Sequence, residues 1–173
     1  MLRPETCLVL DDGTGRAVGY LLGAADTASF VDSYETTYLP YLQSLGFEKP
    51  IPDDPAAWET DLPTALKQIM FTPEGMLHRE HHELLAQWPA HLHVDILPPY
   101  QKQGYGRQLI KHYCTMARVS GAIGIHLLMA TSNEEAQMFY DRVGFKRFPY
   151  VLDDGNSGQH GRDRTTIWLV KDL

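Results

Sequence analysis

Cysteine is scarce in this 173-residue sequence, with only Cys7 and Cys114 present. That excludes a disulfide-stapled scaffold and leaves two small buried hydrophobes or free thiols, as expected in a reducing compartment. Basic residues are also few: 15 Lys and Arg stand against 22 Asp and Glu, for a net charge of −7. Such a balance argues against a nucleic-acid groove and mildly favours a cationic partner. No apolar run approaches the length of a membrane span, and residues 1–6 lack the apolar core of a secretory signal. The expectation is a cytoplasmic chain, with the nucleus also open to it, and no contact with membrane. Gly-Lys-[Ser/Thr], the third glycine of a dinucleotide fingerprint and His-Glu-x-x-His are all missing, which sets aside P-loop, Rossmann and zinc-hydrolase chemistry. No internal repeat or low-complexity tract occurs. With 43% hydrophobic residues the chain can bury a proper core, and its length suits one domain over residues 1–173.

What is present is concentrated between His91 and Gly106, in HLHVDILPPYQKQGYG. Leu92, Val94 and Ile96 alternate as one face of a strand, and Pro98-Pro99 end its ladder. Gly104 and Gly106 then open a helix. They allow close backbone approach, and the unpaired amides from Gln103 to Arg107, aided by the helix dipole, form a natural phosphate cradle. Beyond it Leu109, Ile110, Tyr113, Met116 and Ala117 repeat at helical spacing up to Gly121. Residues 123–130 read as a buried strand. A capping box of Ser132 with Glu135 predicts a second helix, its inner face formed by Ala136, Phe139, Tyr140 and Val143, closed by Gly144 before a strand over 145–148. Upstream, residues 6–12 and 17–25 read as a hairpin about Gly13-Thr14-Gly15.

Gln101-Lys102-Gln103-Gly104-Tyr105-Gly106 resembles the [Gln/Arg]-x-x-Gly-x-[Gly/Ala] motif of the GNAT acetyltransferases, whose successive amides hold the pyrophosphate of acetyl-coenzyme A. The stretch NEEAQMFYDRVGF, from Asn133 to Phe145, is similar to the second half of the same signature, N-x-x-A-x-x-[FL]-Y-x-x-x-G-F. Within the family, Val18 to Thr27 and Leu92 to Ile96 resemble the acetyltransferase-like domains related to the C-terminal part of O-GlcNAcase. The resemblance implies an α/β (α+β) fold, a mixed sheet flanked by helices. It also implies that the family's first strand and two helices, which ordinarily precede the hairpin, are absent. Acetyl-coenzyme A would be the acyl donor, held by Ile96, Leu97, Gln101, Lys102, Gln103, Gly104, Tyr105, Gly106, Arg107 and Asn133, with Asn133 on the pantetheine arm. Tyr140 would serve the departing thiolate, and the implied activity is N-acetylation of a primary amine, on a protein lysine or a small molecule. A non-catalytic coenzyme A binding module is the alternative.

Asp95 and His93 share the strand face opposite Leu92, Val94 and Ile96. A carboxylate held inside a mixed sheet is costly unless paired or working, so Asp95 is the first candidate base and His93 the second; anchoring a histidine or a turn is the structural reading of Asp95. Residues 28–89 read as a helical insertion. Phe30, Val31, Tyr34, Tyr38, Tyr41 and Leu42 fall at helical spacing, Pro40 should kink or end that helix, and residues 46–55 form a proline-rich loop. Two further helical pieces are predicted over 62–71 and 76–88. The insertion's aromatics would pack on the sheet or roof the acceptor. His78, His81 and His82 fit a solvated helix face, His112 and His126 are expected to be structural, and no metal site is expected. An uncovered hairpin edge would favour a homodimer.

Overall fold

The computed structural model describes residues 2–50, 56–149 and 166–173. Its first elements are β1 (Leu8–Asp11) and β2 (Ala17–Ala24), an antiparallel hairpin whose turn places Gly13 and Gly15 at φ +89°. A helical stretch follows: α1 (Thr27–Ser33), capped by Asp26, then a π-helical turn over Tyr34–Tyr38, then α2 (Leu39–Ser44). Of the two outcomes expected at Pro40, a kink or an end, the helix does not end there. The wider π turn comes just before it, and Pro40 falls in the first turn of α2, where its missing N–H costs least. Part of the expected proline-rich loop, 51–55, lies outside the described residues. The predicted helix over 62–71 is α4 (Leu62–Met70), preceded by the short α3 (Ala57–Thr60).

The single helix expected over 76–88 is instead broken. Two 3₁₀ turns, Pro73–Leu77 and Arg79–His81, precede α5 (His82–Gln87), and between them His78 takes φ +43°. A left-handed residue cannot continue a right-handed helix. His78 is also buried rather than solvated, its ring packed 4.4 Å from that of Trp168.

After these come β3 (Ala90–Ile96), α6 (Tyr105–Val119), β4 (Gly124–Ala130), α7 (Glu134–Arg142), β5 (Lys146–Arg147) and β6 (Thr166–Asp172). The strand expected over 145–148 pairs at only two residues, and β6 was not anticipated. Gly121 and Gly144 close α6 and α7 at φ +91° and +88°, as the sequence predicts. The sheet order is β1-β2-β3-β4-β6-β5, mixed because β3 and β4 alone run parallel.

Alternation along the strands builds two unequal cores. Leu21, Leu92, Ile125, Leu127 and Met129 pack under α6 and α7, against Leu109, Ile110, Tyr113 and Tyr140. Tyr113 fixes α6 to the sheet: its hydroxyl donates to the carbonyls of His91 at 2.6 Å and Ala24 at 2.9 Å, and its ring lies where a Cβ on Gly23 would be. On the other face Leu84, Phe148, Trp168 and Val170 form a smaller cluster with Trp88 and Leu128. Among its described residues, the segment between β2 and β3 packs at that end. Over the hairpin the same face stays open, leaving Val9 and Leu22 exposed.

Burial of histidine in this second layer makes stability pH-dependent. His126 donates Nδ1–H to the Trp88 carbonyl at 2.6 Å, while burial, with His91 and His78 nearby, pushes its pKa down to about 3. In the unfolded chain it titrates near ~6.5. Between those values the unfolded state binds the extra proton, so the full contribution is present above about pH 6.5 and is lost as pH falls towards 3. At pH 5 the loss is about 2 kcal/mol. His91, buried beside it, has its pKa pushed down to about 4 by the same cause and adds a loss of similar size. Urea unfolding at pH 7 and pH 5 checks this: His126→Asn, which keeps a donor, is expected to remove about half of the difference and leave the share of His91.

Candidate active site

The strands that run parallel separate almost at once. β3 pairs with β4 only at Ala90–Ile125 and His91–His126, although β3 continues to Ile96 and β4 to Ala130. On its other edge β3 stays paired with β2 through Ile96, and the Leu97 amide donates to the Val18 carbonyl at 2.9 Å. Antiparallel alternation then turns the backbone groups of Leu92, Val94 and Ile96 away from β2 and into the wedge between β3 and β4. Leu97 does not join them, because its amide is already committed to Val18, and the Gln101 amide is likewise taken by the Pro98 carbonyl at 3.2 Å.

At the carboxyl end of β3 the chain builds an amide cup. The first bond of α6 runs from the Gln108 amide to the Gly104 carbonyl at 3.1 Å, so the amides of Tyr105, Gly106 and Arg107 precede the ladder and face outward along the helix axis. Gly104 has φ +89°, and a Cβ there would meet only open space. Gly106 has a different task. A Cβ on it would stand 3.1 Å from the Phe139 ring, so this glycine admits α7 against the start of α6 rather than a ligand against the backbone. Side chains brace the loop: Gln101 Nε2 donates to the Ile96 carbonyl at 2.7 Å and Gln103 Nε2 to the Pro99 carbonyl at 2.8 Å. Lys102, left-handed at φ +60°, extends to Glu135 at 2.8 Å, and this cation holds the Glu135 carboxyl below its ordinary range.

Asn133, not Ser132, caps α7, its Oδ1 accepting from the Ala136 amide at 3.0 Å. Its side-chain nitrogen, a donor at the start of the helix, is bound by no described residue. Seven residues on, Tyr140 is buried in the main core between Phe139 and Phe145. Burial first, and then the charge of Asp95, pushes its hydroxyl up to about 12. Phe139 thus joins the cup, through Gly106, to Tyr140.

Asp95 and His93 are together, but not inside the sheet. Their side chains are 64% and 69% exposed on the open face, so the expectation of a costly buried carboxylate fails. What satisfies Asp95 is pairing. His93 Nε2 lies 2.9 Å from Oδ2, and the Tyr20 hydroxyl donates to the same oxygen at 2.7 Å. Tyr20 was missed by sequence reasoning. Only the register of β2 on β3, which sets Tyr20 opposite Asp95, brings it to the site, and its ring stacks on His93 with centroids 6.0 Å apart.

Comparison with known proteins supplies the family. Residues 73–147 match the acetyltransferase (GNAT) domain. Over 99% of its length the chain is 33% identical to a crystallised protein named SsHAT, covers 74% of that chain and superposes with a TM-score of 0.78. The chain belongs to the GNAT acetyltransferase family. Two more distant GNAT-like folds are a mosquito arylalkylamine N-acetyltransferase like 5b (13% identity, 97% of this chain and 74% of that one, TM-score 0.55) and a Drosophila melanogaster polyamine N-acetyltransferase (17%, 97% and 75%, 0.50). The six-stranded mixed sheet flanked by helices is the GNAT fold. No helix among the described residues is long and apolar enough to cross a membrane, and none of their His, Cys, Asp and Glu side chains group as a metal site.

Proposed function

We propose that this chain transfers the acetyl group of acetyl-coenzyme A to a primary amine, of a protein lysine or a small molecule, by direct attack in a ternary complex. The observation that carries the reading is the wedge between β3 and β4 with the amide cup at its mouth; the strand that edges it carries Asp95 and His93 in contact, and the Asp95 charge reaches the Tyr140 hydroxyl. The residues fit the donor. Outward amides and open space at Gly104 suit a pyrophosphate, no carboxylate lies in the 101–107 loop, and the backbone groups of Leu92, Val94 and Ile96 suit the amides of a pantetheine arm. Bound there, acetyl-coenzyme A supplies the activated acyl group, and no metal is needed. Asn133 would hold the arm, and Tyr140 would donate a hydrogen bond to the sulfur. The relatives named for arylalkylamines and polyamines support an amine acceptor.

The reading takes residues 1–173 as one domain with a helical insertion over 28–89, akin to the domains related to the C-terminal part of O-GlcNAcase. It places the chain in the cytoplasm or nucleus, with neither nucleic acid nor membrane as partner. The exposed edge at Val9 would join two copies, which sedimentation checks. One observation favours the second reading, a coenzyme A binding module: the face carrying Asp95 and His93 is open. Calorimetry with acetyl-coenzyme A, followed by free-thiol release against a panel of amines and lysine peptides, separates the two. Binding with acceptor-dependent thiol release is the expected result. Binding with no release on any acceptor makes the chain a module, and no binding overturns both readings.

A further inference from the structure

Tyr20, Asp95 and His93 form a directional chain of hydrogen bonds whose polarity follows from their chemistry. Tyr20 is a phenol whose pKa is raised, first by the hydrogen bond to Asp95, then by burial and by the carboxylate's charge. It therefore keeps its proton and acts as the donor in the 2.7 Å contact with Asp95 Oδ2. An ionised carboxylate only accepts. The 2.9 Å contact from His93 must then be an Nε2–H donating to that same oxygen, which leaves the lone pair of the neutral ring on Nδ1. Two donors converging on one oxygen fix the carboxylate, and the Tyr20 ring, stacked at 25° to the imidazole, fixes its plane. Tyr20 itself is set by backbone pairing, directly opposite Asp95 on β2.

We propose that Tyr20 is a positioning residue which, through Asp95, holds His93 in the Nε2–H tautomer and presents Nδ1 on the open sheet face as the proton acceptor for the attacking amine. The inference rests on the acetyl-transfer reading. In the reaction the acceptor ammonium gives one proton to His93 Nδ1, and the resulting imidazolium is stabilised by the Asp95 carboxylate. The amine lone pair forms the bond to the thioester carbonyl carbon, and the carbon–sulfur pair leaves on sulfur. Sulfur then takes the second proton shed by the new amide nitrogen, and His93 returns its proton to water. Asp95 keeps its charge throughout. Assignment of the base to His93 rather than Asp95 follows because an imidazole is intrinsically the stronger base of the two, and its Nδ1, on a mostly exposed ring, is bound by no described residue, while the carboxylate is engaged by two donors through Oδ2. The aspartate's geometry resembles that of the acid in a Ser-His-Asp triad, where the carboxylate orients the imidazole without taking its proton.

The test has two arms. In imidazole-¹⁵N-labelled protein, two-bond proton–nitrogen correlation at a pH where the ring is neutral should show His93 predominantly as Nε2–H. Tyr20→Phe should shift it towards a mixture, and Asp95→Asn more so. In the kinetic arm, Tyr20→Phe should lower kcat by about 5–10-fold on any acceptor that is turned over, with KM for the acceptor and Kd for acetyl-coenzyme A within a factor of two. His93→Ala should cost at least 10²-fold. An Nδ1–H tautomer in the parent protein, or a Tyr20→Phe enzyme with unchanged kcat and unchanged tautomer, overturns the proposal. A parent that binds acetyl-coenzyme A and acetylates nothing overturns the activity reading instead, and the nitrogen spectra still decide whether Tyr20 and Asp95 hold the ring.

Discussion

Tyr140→Phe is expected to lower kcat by about 10²-fold, equivalent to ~2.7 kcal/mol of transition-state stabilisation, while leaving the affinity for acetyl-coenzyme A nearly unchanged. The size follows from where the hydroxyl sits. It is buried against Phe139 and Phe145, and both causes acting on it, desolvation and the negative charge of Asp95, favour the neutral phenol. Pushed up to about 12, it holds its proton more tightly than a thiol does, so its contribution to a departing thiolate is a hydrogen bond rather than complete proton transfer. Such a bond is weak to a neutral thioester sulfur and strong to the charged leaving group, which is why the loss should fall on kcat and not on binding. Because no described residue receives the hydroxyl, its removal should cost little stability, and an unchanged Tm would separate a chemical role from a packing one. Equal turnover for the two proteins on the best acceptor of the panel would return Tyr140 to the core.

Legibility of the sequence followed the range of the interactions. Period-two alternation at Leu92, Val94 and Ile96 and the glycine stops at Gly121 and Gly144 are local, and each appears in the structure where the residues imply. The second helix begins one residue later than its capping box suggests. Asn133 takes the cap in place of Ser132, its Oδ1 accepting from the Ala136 amide, although the two residue types have similar intrinsic capping preference. Long-range geometry was not legible. The early separation of β3 from β4 depends on how two strands meet through α6, and Tyr20 becomes a site residue only once the β2–β3 register is known. The segment between β2 and β3 misled for a related reason. His78 satisfies helical spacing, yet packing on Trp168 holds it in a left-handed conformation that propensity alone disfavours. Gly106, read as a close approach for phosphate, is required by a side chain 33 positions away, Phe139.

Gly104→Asp should abolish detectable acetyl-coenzyme A binding, and two companion variants divide the effect into its causes. Gly104 adopts φ +89° at the N-cap of α6, a conformation that costs an L-residue roughly 1–2 kcal/mol. A Cβ there meets nothing within 4 Å, so Gly104→Ala tests backbone strain almost alone and should weaken binding by about 10-fold or less. Aspartate adds a carboxylate to the space in front of the Tyr105, Gly106 and Arg107 amides, where it can accept their hydrogen bonds itself and repel a pyrophosphate. Its competition with the ligand is intramolecular and therefore strong. Lys102→Ala removes one exposed cation that Glu135 already engages, and should weaken binding only a few-fold, less still at high salt. Calorimetry on the three variants, with the Tm of each free protein as the check on folding, gives the order expected: Lys102→Ala mildest, Gly104→Ala next, Gly104→Asp beyond measurement. Parent-like affinity in a folded Gly104→Asp protein would place the pyrophosphate elsewhere than at the start of α6, and with it the wedge would lose its assignment as the path of the acyl donor.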